Sequence, residues 1–132
     1  AIEVLSRNRK GFVLMVEGSE IDDAGHSNSI SMVTEEVLDL DRAVTVARDF
    51  AAKDGKTLIV VTADHETGGM SITGGNNDKK EVKAAFSFTG HSGVMVPVFA
   101  YGPGAIEFTG IQENTDIFRD MFSLLFPDRR QK

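Results

Sequence analysis

The three histidines of the chain stand in separate short motifs beside acidic or small turn residues, and none lies in an apolar helical stripe. The motifs are Glu17-Gly18-Ser19-Glu20-Ile21-Asp22-Asp23-Ala24-Gly25-His26, then Thr62-Ala63-Asp64-His65-Glu66-Thr67-Gly68-Gly69, and finally Thr89-Gly90-His91-Ser92-Gly93. Imidazole and carboxylate are the donor mixture of a catalytic zinc centre. A closed structural site would favour thiolates, and the chain has no cysteine. Asp22 and His26 are four residues apart, which puts both side chains on one face of a helical turn. His91 follows Gly90, so its backbone can approach a site closely. Each of these residues alone has a bland reading: His26 and His91 as turn histidines, His65 as a strand-end polar group, Asp22 and Asp23 as a helix cap and a solvated charge, Glu17 as a carboxylate that ends a strand. Three independent accidents of that kind are a poorer account than one shared metal site.

The 132 residues suffice for one domain with a core, and 41% hydrophobic with 26% charged residues is ordinary globular composition. The net charge of −6 argues against nucleic acid and anionic membrane as partners, because phosphate surfaces select basic proteins. Bound cations would neutralise part of that acidity. The missing cysteines exclude a disulfide framework but leave the compartment open. No signal peptide or membrane-length apolar run is present, and the helix-like start Ala1-Ile2-Glu3-Val4-Leu5 suggests that any export signal would lie upstream.

The elements that must position these residues alternate between strand and helix. Phe12-Val13-Leu14-Met15-Val16 is an apolar run expected to form a strand that ends at Glu17. Residues 35–53 carry Val37, Leu40, Val44, Ala47 and Ala51 on one helical face, with Gly55 just past the end. Thr57-Leu58-Ile59-Val60-Val61 is a second expected strand, leading into Asp64-His65. Gly68-Gly69 and Gly74-Gly75 mark loops around a short segment, Met70 to Thr73, and 78–83 is a polar excursion. Residues 94–101 form a third expected strand with Pro97 as a warning of an edge. Asn114 or Thr115 would cap a final helix through Leu125, with Ile117, Met121 and Leu124 inward. Strands separated by a helical crossover are usually parallel, and ligands gather beyond their carboxyl ends, where Glu17 and Asp64-His65 stand.

The chain resembles the C-terminal part of alkaline phosphatase, of the bacterial type. The resemblance runs from Gly11-Phe12-Val13-Leu14-Met15-Val16-Glu17-Gly18 through Ala100-Tyr101-Gly102-Pro103 to Asn114-Thr115-Asp116-Ile117-Phe118, and it includes the three histidine motifs in the family's order. It implies an α/β, three-layer sandwich with a mostly parallel central sheet, present here as a partial C-terminal fragment spanning residues 1–132. It also implies Asp22, His26 and His91 as ligands of a first zinc, Asp64 and His65 as ligands of a second, and Glu17 as a ligand of a nearby magnesium. The implied activity is phosphomonoester hydrolysis by a homodimeric, periplasmic or secreted enzyme with two Zn2+ and one Mg2+ per active site.

The family's nucleophilic serine, its phosphate-binding arginine and one bridging aspartate lie upstream of the matched segment. None of Ser19, Ser27, Ser29, Ser31, Ser71, Ser87 and Ser92 matches the serine motif, so no catalytic residue is assigned and the chain alone is expected to be inactive. Two other readings stand beside this one. The chain could belong to another two-metal hydrolase or mutase of the same superfamily, or it could be a noncatalytic metal-binding domain.

Overall fold

A computed structural model describes residues 1–127 of the chain. They fall into two compact units: Ala1–Ala47 with Thr67–His91, and Arg48–Glu66 with the chain from Ser92 onward.

In the first unit, a short helix α1 (Ile2–Leu5) precedes α2 (Glu20–His26), and α3 (Ile30–Asp54) follows after only three residues and runs on into the second unit. The turn between α2 and α3 follows from local chemistry. The Asn28 amide bonds to the Gly25 carbonyl at 3.0 Å and the Ser29 amide to the Ala24 carbonyl at 3.1 Å, with Asn28 left-handed at φ 52°. This is a Schellman closure, built on the non-glycine residue type that best tolerates a left-handed backbone. The Ser29 side chain then accepts the Met32 amide, capping α3. Helix α3 therefore starts five residues before the expected position 35. It ends as its sequence indicated: Gly55, at φ 67°, returns its amide to the Ala51 carbonyl.

Strands β3 (Ser71–Asn76) and β4 (Glu81–Ala85) form an antiparallel hairpin in this unit, with a register shift between Ile72 and Gly74. The expected loop-and-excursion reading of 70–83 is corrected by this ladder. The glycines that looked like breakers sit inside β3, where Gly75 faces the Glu81 backbone too closely for any side chain. A hydrogen-bonded turn, with Lys79 amide to Asn76 Oδ1 and Lys80 amide to Asn77 carbonyl, closes the hairpin.

In the second unit, β1 (Ile59–Val61) pairs antiparallel with β6 (Phe99–Tyr101), in register Val60 opposite Ala100. No helical crossover joins these two strands, so nothing forces them parallel. A 3₁₀ turn at Ala105–Phe108 buries Phe108, and α4 (Asn114–Leu125) follows. Glu113, one residue earlier than expected, is the cap: it and Asp116 form a reciprocal capping box. Ile117, Met121 and Leu124 are half-buried, and Leu124 lies so close over Gly104 that an added Cβ would sit 2.6 Å from its methyl.

Two-residue strands β2 (Glu66–Thr67) and β5 (His91–Ser92) mark the points where the chain passes between units. The expected strand at Phe12–Val16 is not formed; residues 11–18 lie outside any strand, with Val13, Met15 and Val16 exposed. An apolar run signals a preference for burial, whereas a strand also requires a neighbour to take its backbone hydrogen bonds.

Candidate metal centre

Helix α2 carries Asp22 and His26 one turn apart, and the loop Thr89-Gly90 brings His91 to them within the first unit. His26 Nε2 lies 3.2 Å from Asp22 Oδ2, and His91 Nε2 lies 3.4 Å from Asp22 Oδ1. The two imidazole Nε2 atoms are 3.1 Å apart, with ring centroids at 4.9 Å. Zinc–nitrogen bonds of about 2.0–2.1 Å in tetrahedral geometry set neighbouring donors roughly 3.3 Å apart. The two imidazole nitrogens stand close to that separation from each other, and each also stands close to it from one of the two Asp22 oxygens, so the three side chains can offer donors to one ion.

The orientation of His26 is fixed from behind. Its Nδ1–H donates to the Thr89 carbonyl at 2.5 Å, which leaves Nε2 of the neutral ring with a lone pair facing His91 and Asp22. The same carbonyl is the main cause that raises the His26 pKa above the ordinary imidazole value. Partial loss of water opposes it, and the charges of Asp22 and Asp23 add to the rise. The His26 ring therefore holds a proton more firmly than a free imidazole does. All three side chains remain between 39% and 46% exposed, so a bound ion would keep a face open to water or substrate. Two nitrogens, one carboxylate and an open face suit a divalent catalytic ion.

Thr67 was not singled out by the sequence. Its hydroxyl donates to Asp22 Oδ1 across 45 residues of chain. Ser92 was likewise passed over; its hydroxyl donates to the Glu66 carboxylate in the second unit. The signal that could have found Thr67 is Gly25, a helix-interior glycine between two ligand candidates. An added Cβ there would stand 3.0 Å from both Cβ and Cγ2 of Thr67.

The remaining candidates are placed differently. Asp64 and His65 belong to the second unit, just beyond β1, and pair locally: His65 Nε2 is 3.3 Å from Asp64 Oδ2, and the His65 amide donates to Asp64 Oδ1. Glu17 is exposed, three residues before α2. Neither it nor the Asp64–His65 pair joins a cluster of three metal-capable side chains among the described residues, whereas Asp22, His26 and His91 do.

The described residues form an α/β chain in which Asp22, His26 and His91 make an open nitrogen–oxygen donor cluster suited to a divalent ion. The chain belongs to the alkaline phosphatase family, whose model matches residues 1–85 and 75–126. It is 38% identical to the alkaline phosphatase of Escherichia fergusonii, over 95% of this chain and 30% of that protein. It is 32% identical to alkaline phosphatase 4 of Bacillus subtilis, over 95% of this chain and 42% of the relative, in an alignment that runs over 193 positions. The alkaline phosphatase of the Antarctic bacterium TAB5 superimposes with a TM-score of 0.85 at 44% identity, covering 94% of this chain and 38% of that one. A variant of the TAB5 enzyme is described with magnesium bound in its M3 site. The chain thus spans less than half the length of these relatives, and its structure is that of an alkaline-phosphatase-like α/β fragment.

Proposed function

We propose that this chain is the metal-binding portion of an enzyme that hydrolyses phosphomonoesters. The observation that carries the reading is the convergence of Asp22, His26 and His91, from two distant motifs, at the spacing of donors around one divalent ion. In this reading those three residues hold a first zinc, Asp64 and His65 contribute to a second, and Glu17 contributes to a magnesium. Ions of this kind, when bound, stabilise the charge on the entering and departing oxygens of an in-line phosphoryl transfer and lower the pKa of coordinated water towards about 7. The protein's share is positioning. Helix α2 sets Asp22 and His26 in register, the Thr89 carbonyl holds the His26 ring in the tautomer that presents Nε2, and the exposed face admits the ester. Phosphoryl transfer asks little covalent chemistry of its scaffold beyond this, apart from a nucleophile that no serine motif of this chain supplies. The same reading makes the complete enzyme a homodimer in the periplasm or outside the cell, with no nucleic acid or membrane partner.

Release of p-nitrophenol from its phosphate by the complete protein tests the proposal. Purified protein should turn the ester over in the presence of zinc and magnesium, and His26→Ala should reduce turnover by at least about a hundredfold, more than the loss of a residue that only orients a ligand. Equal activity of the two proteins would refute it.

A further inference from the structure

We infer that Thr67 is a positioning residue for the metal centre: its hydroxyl holds the Asp22 carboxylate in the orientation that lets Asp22, His26 and His91 share one ion. The inference rests on the reading of those three residues as ligands. Two independent observations support it. The first is the hydrogen bond itself, from Thr67 Oγ1 to Asp22 Oδ1. Asp22 Oδ2 faces His26 while Oδ1 faces His91, so the carboxylate plane must be set correctly for both histidines at once. A carboxylate on a helix surface rotates freely about its last torsion, and a donor on one oxygen removes that freedom.

The second observation is the scaffold that delivers the hydroxyl. Gly25 lies in α2 between Asp22 and His26 and is buried, and its missing side chain is the space into which Thr67 packs, with 3.0 Å from the ideal Cβ position to the Thr67 methyl. Glycine inside a helix costs about 1 kcal/mol against alanine, and here its smallness has a definite use, the close approach of a second chain segment. The next residue, Gly68, is equally constrained. At φ 85° it fits between the Gly25 carbonyl, 2.9 Å from its ideal Cβ position, and the Phe86 ring at 2.8 Å. Its amide donates to the Gly90 carbonyl and its carbonyl accepts the Ser87 amide, both within the segment that leads to Thr89 and His91. Thr67-Gly68 therefore links α2 to the loop that carries the third ligand, with the hydroxyl as its polar contact on Asp22.

The test compares Thr67→Val, Thr67→Ser and Asp22→Ala with the wild type in the complete protein, with zinc affinity read by competition against a chromophoric chelator and metal-free thermal unfolding followed in parallel. Valine keeps the methyl that packs on Gly25 and removes the donor; serine keeps the donor. Thr67→Val should weaken the tightest zinc site by about 10- to 100-fold, the range seen when a partner of a ligand is removed. Thr67→Ser should stay close to wild type, and the metal-free unfolding temperatures of the two variants should agree. Wild-type zinc affinity in Thr67→Val, beside strong loss in Asp22→Ala, would overturn the inference and leave the metal centre standing. Equal loss in the serine and valine variants would also overturn it, because the role would then be packing. Unchanged affinity in Asp22→Ala would overturn the reading of the centre itself.

Discussion

Two pairs of aspartate and histidine in this chain have been given very different surroundings. Asp22 and His26 sit a helical turn apart, joined by His91 from another motif, with the Thr89 carbonyl behind His26 and the Thr67 hydroxyl behind Asp22. Asp64 and His65 are chain neighbours that pair with each other, and Asp64 is 86% exposed. A donor set held from several directions is organised before an ion arrives, whereas a side chain as exposed as Asp64 must still spend conformational freedom to bind. The contrast teaches that the first centre should behave as a property of this chain and the second should depend on ligands supplied from elsewhere.

The largest expected effect breaks the comparison directly. In the 132-residue chain, His91→Ala should remove tight zinc binding, with a loss of at least about a hundredfold, while His65→Ala should change the tightest affinity by less than about threefold. Titration calorimetry with zinc measures both, and equal effects of the two substitutions would erase the distinction between the pairs. The same chain, with its centre intact, should release no p-nitrophenol above background, because a metal site without a nucleophile and a phosphate clamp does not complete the two-step transfer. Activity that survives rigorous removal of host phosphatase and disappears in His26→Ala would contradict this.

A smaller effect concerns Gly25. Alanine there gains up to about 1 kcal/mol of helix propensity but must push against Thr67, and overpacking of a tight contact typically costs about 1–3 kcal/mol. The contact should win. Gly25→Ala should lower both the denaturant midpoint and zinc affinity, whereas Gly74→Ala, in the open hairpin where no atom lies within reach of the added methyl, should leave zinc affinity unchanged.

The smallest effect is on pH. In the metal-free state the raised His26 pKa means that the folded form holds its proton more tightly than the unfolded form. This contribution to stability is complete below the unfolded imidazole pKa and is lost as pH rises through the folded one. Zinc reverses the sign, because the ion competes with that proton and its affinity falls as pH drops through the folded pKa. Melting curves taken from about pH 5 to 8, with and without zinc, should therefore show opposite trends in the part that His26→Gln abolishes. Parallel trends would show that the His26 proton and the ion do not compete for one site.

Much of the first centre was legible because its signals are local. The four-residue spacing of Asp22 and His26 requires only a helical turn; His91 joins them through its side chain, while a Cβ added at Gly90 would meet nothing nearer than the Phe88 ring at 3.8 Å, so the close backbone approach expected there is not seen. Thr67 was not legible: a threonine hydroxyl has no distinctive spacing, and its target lies 45 residues away. The ends of α3 divided in the same way. Gly55 is an unmistakable stop, but the start depended on Asn28 adopting a left-handed backbone that its sequence permits without requiring. Phe12–Val16 was read as a strand from its composition, and composition reports a wish for burial and says nothing of pairing. The 71–85 hairpin was missed for the opposite reason, since Gly74 and Gly75 weaken the strand signal of β3, and Gly75 at the same time serves the close passage of β4.

That hairpin has a consequence of a different kind. Its strands lie mostly on the surface, its turn closes through its own Asn76 and Asn77, and the two stretches over which the family's model fits the chain overlap there, at 75–85. The Bacillus alignment is longer than this whole chain, so relatives carry additional sequence somewhere along it. A surface turn is where such sequence is cheapest, because each doubling of loop length adds only about 0.6 kcal/mol of closure entropy. In terms of chain length, the 76–81 turn is therefore where added residues would cost this unit least, because the helix and loop segments that carry Asp22, His26 and His91 lie outside it.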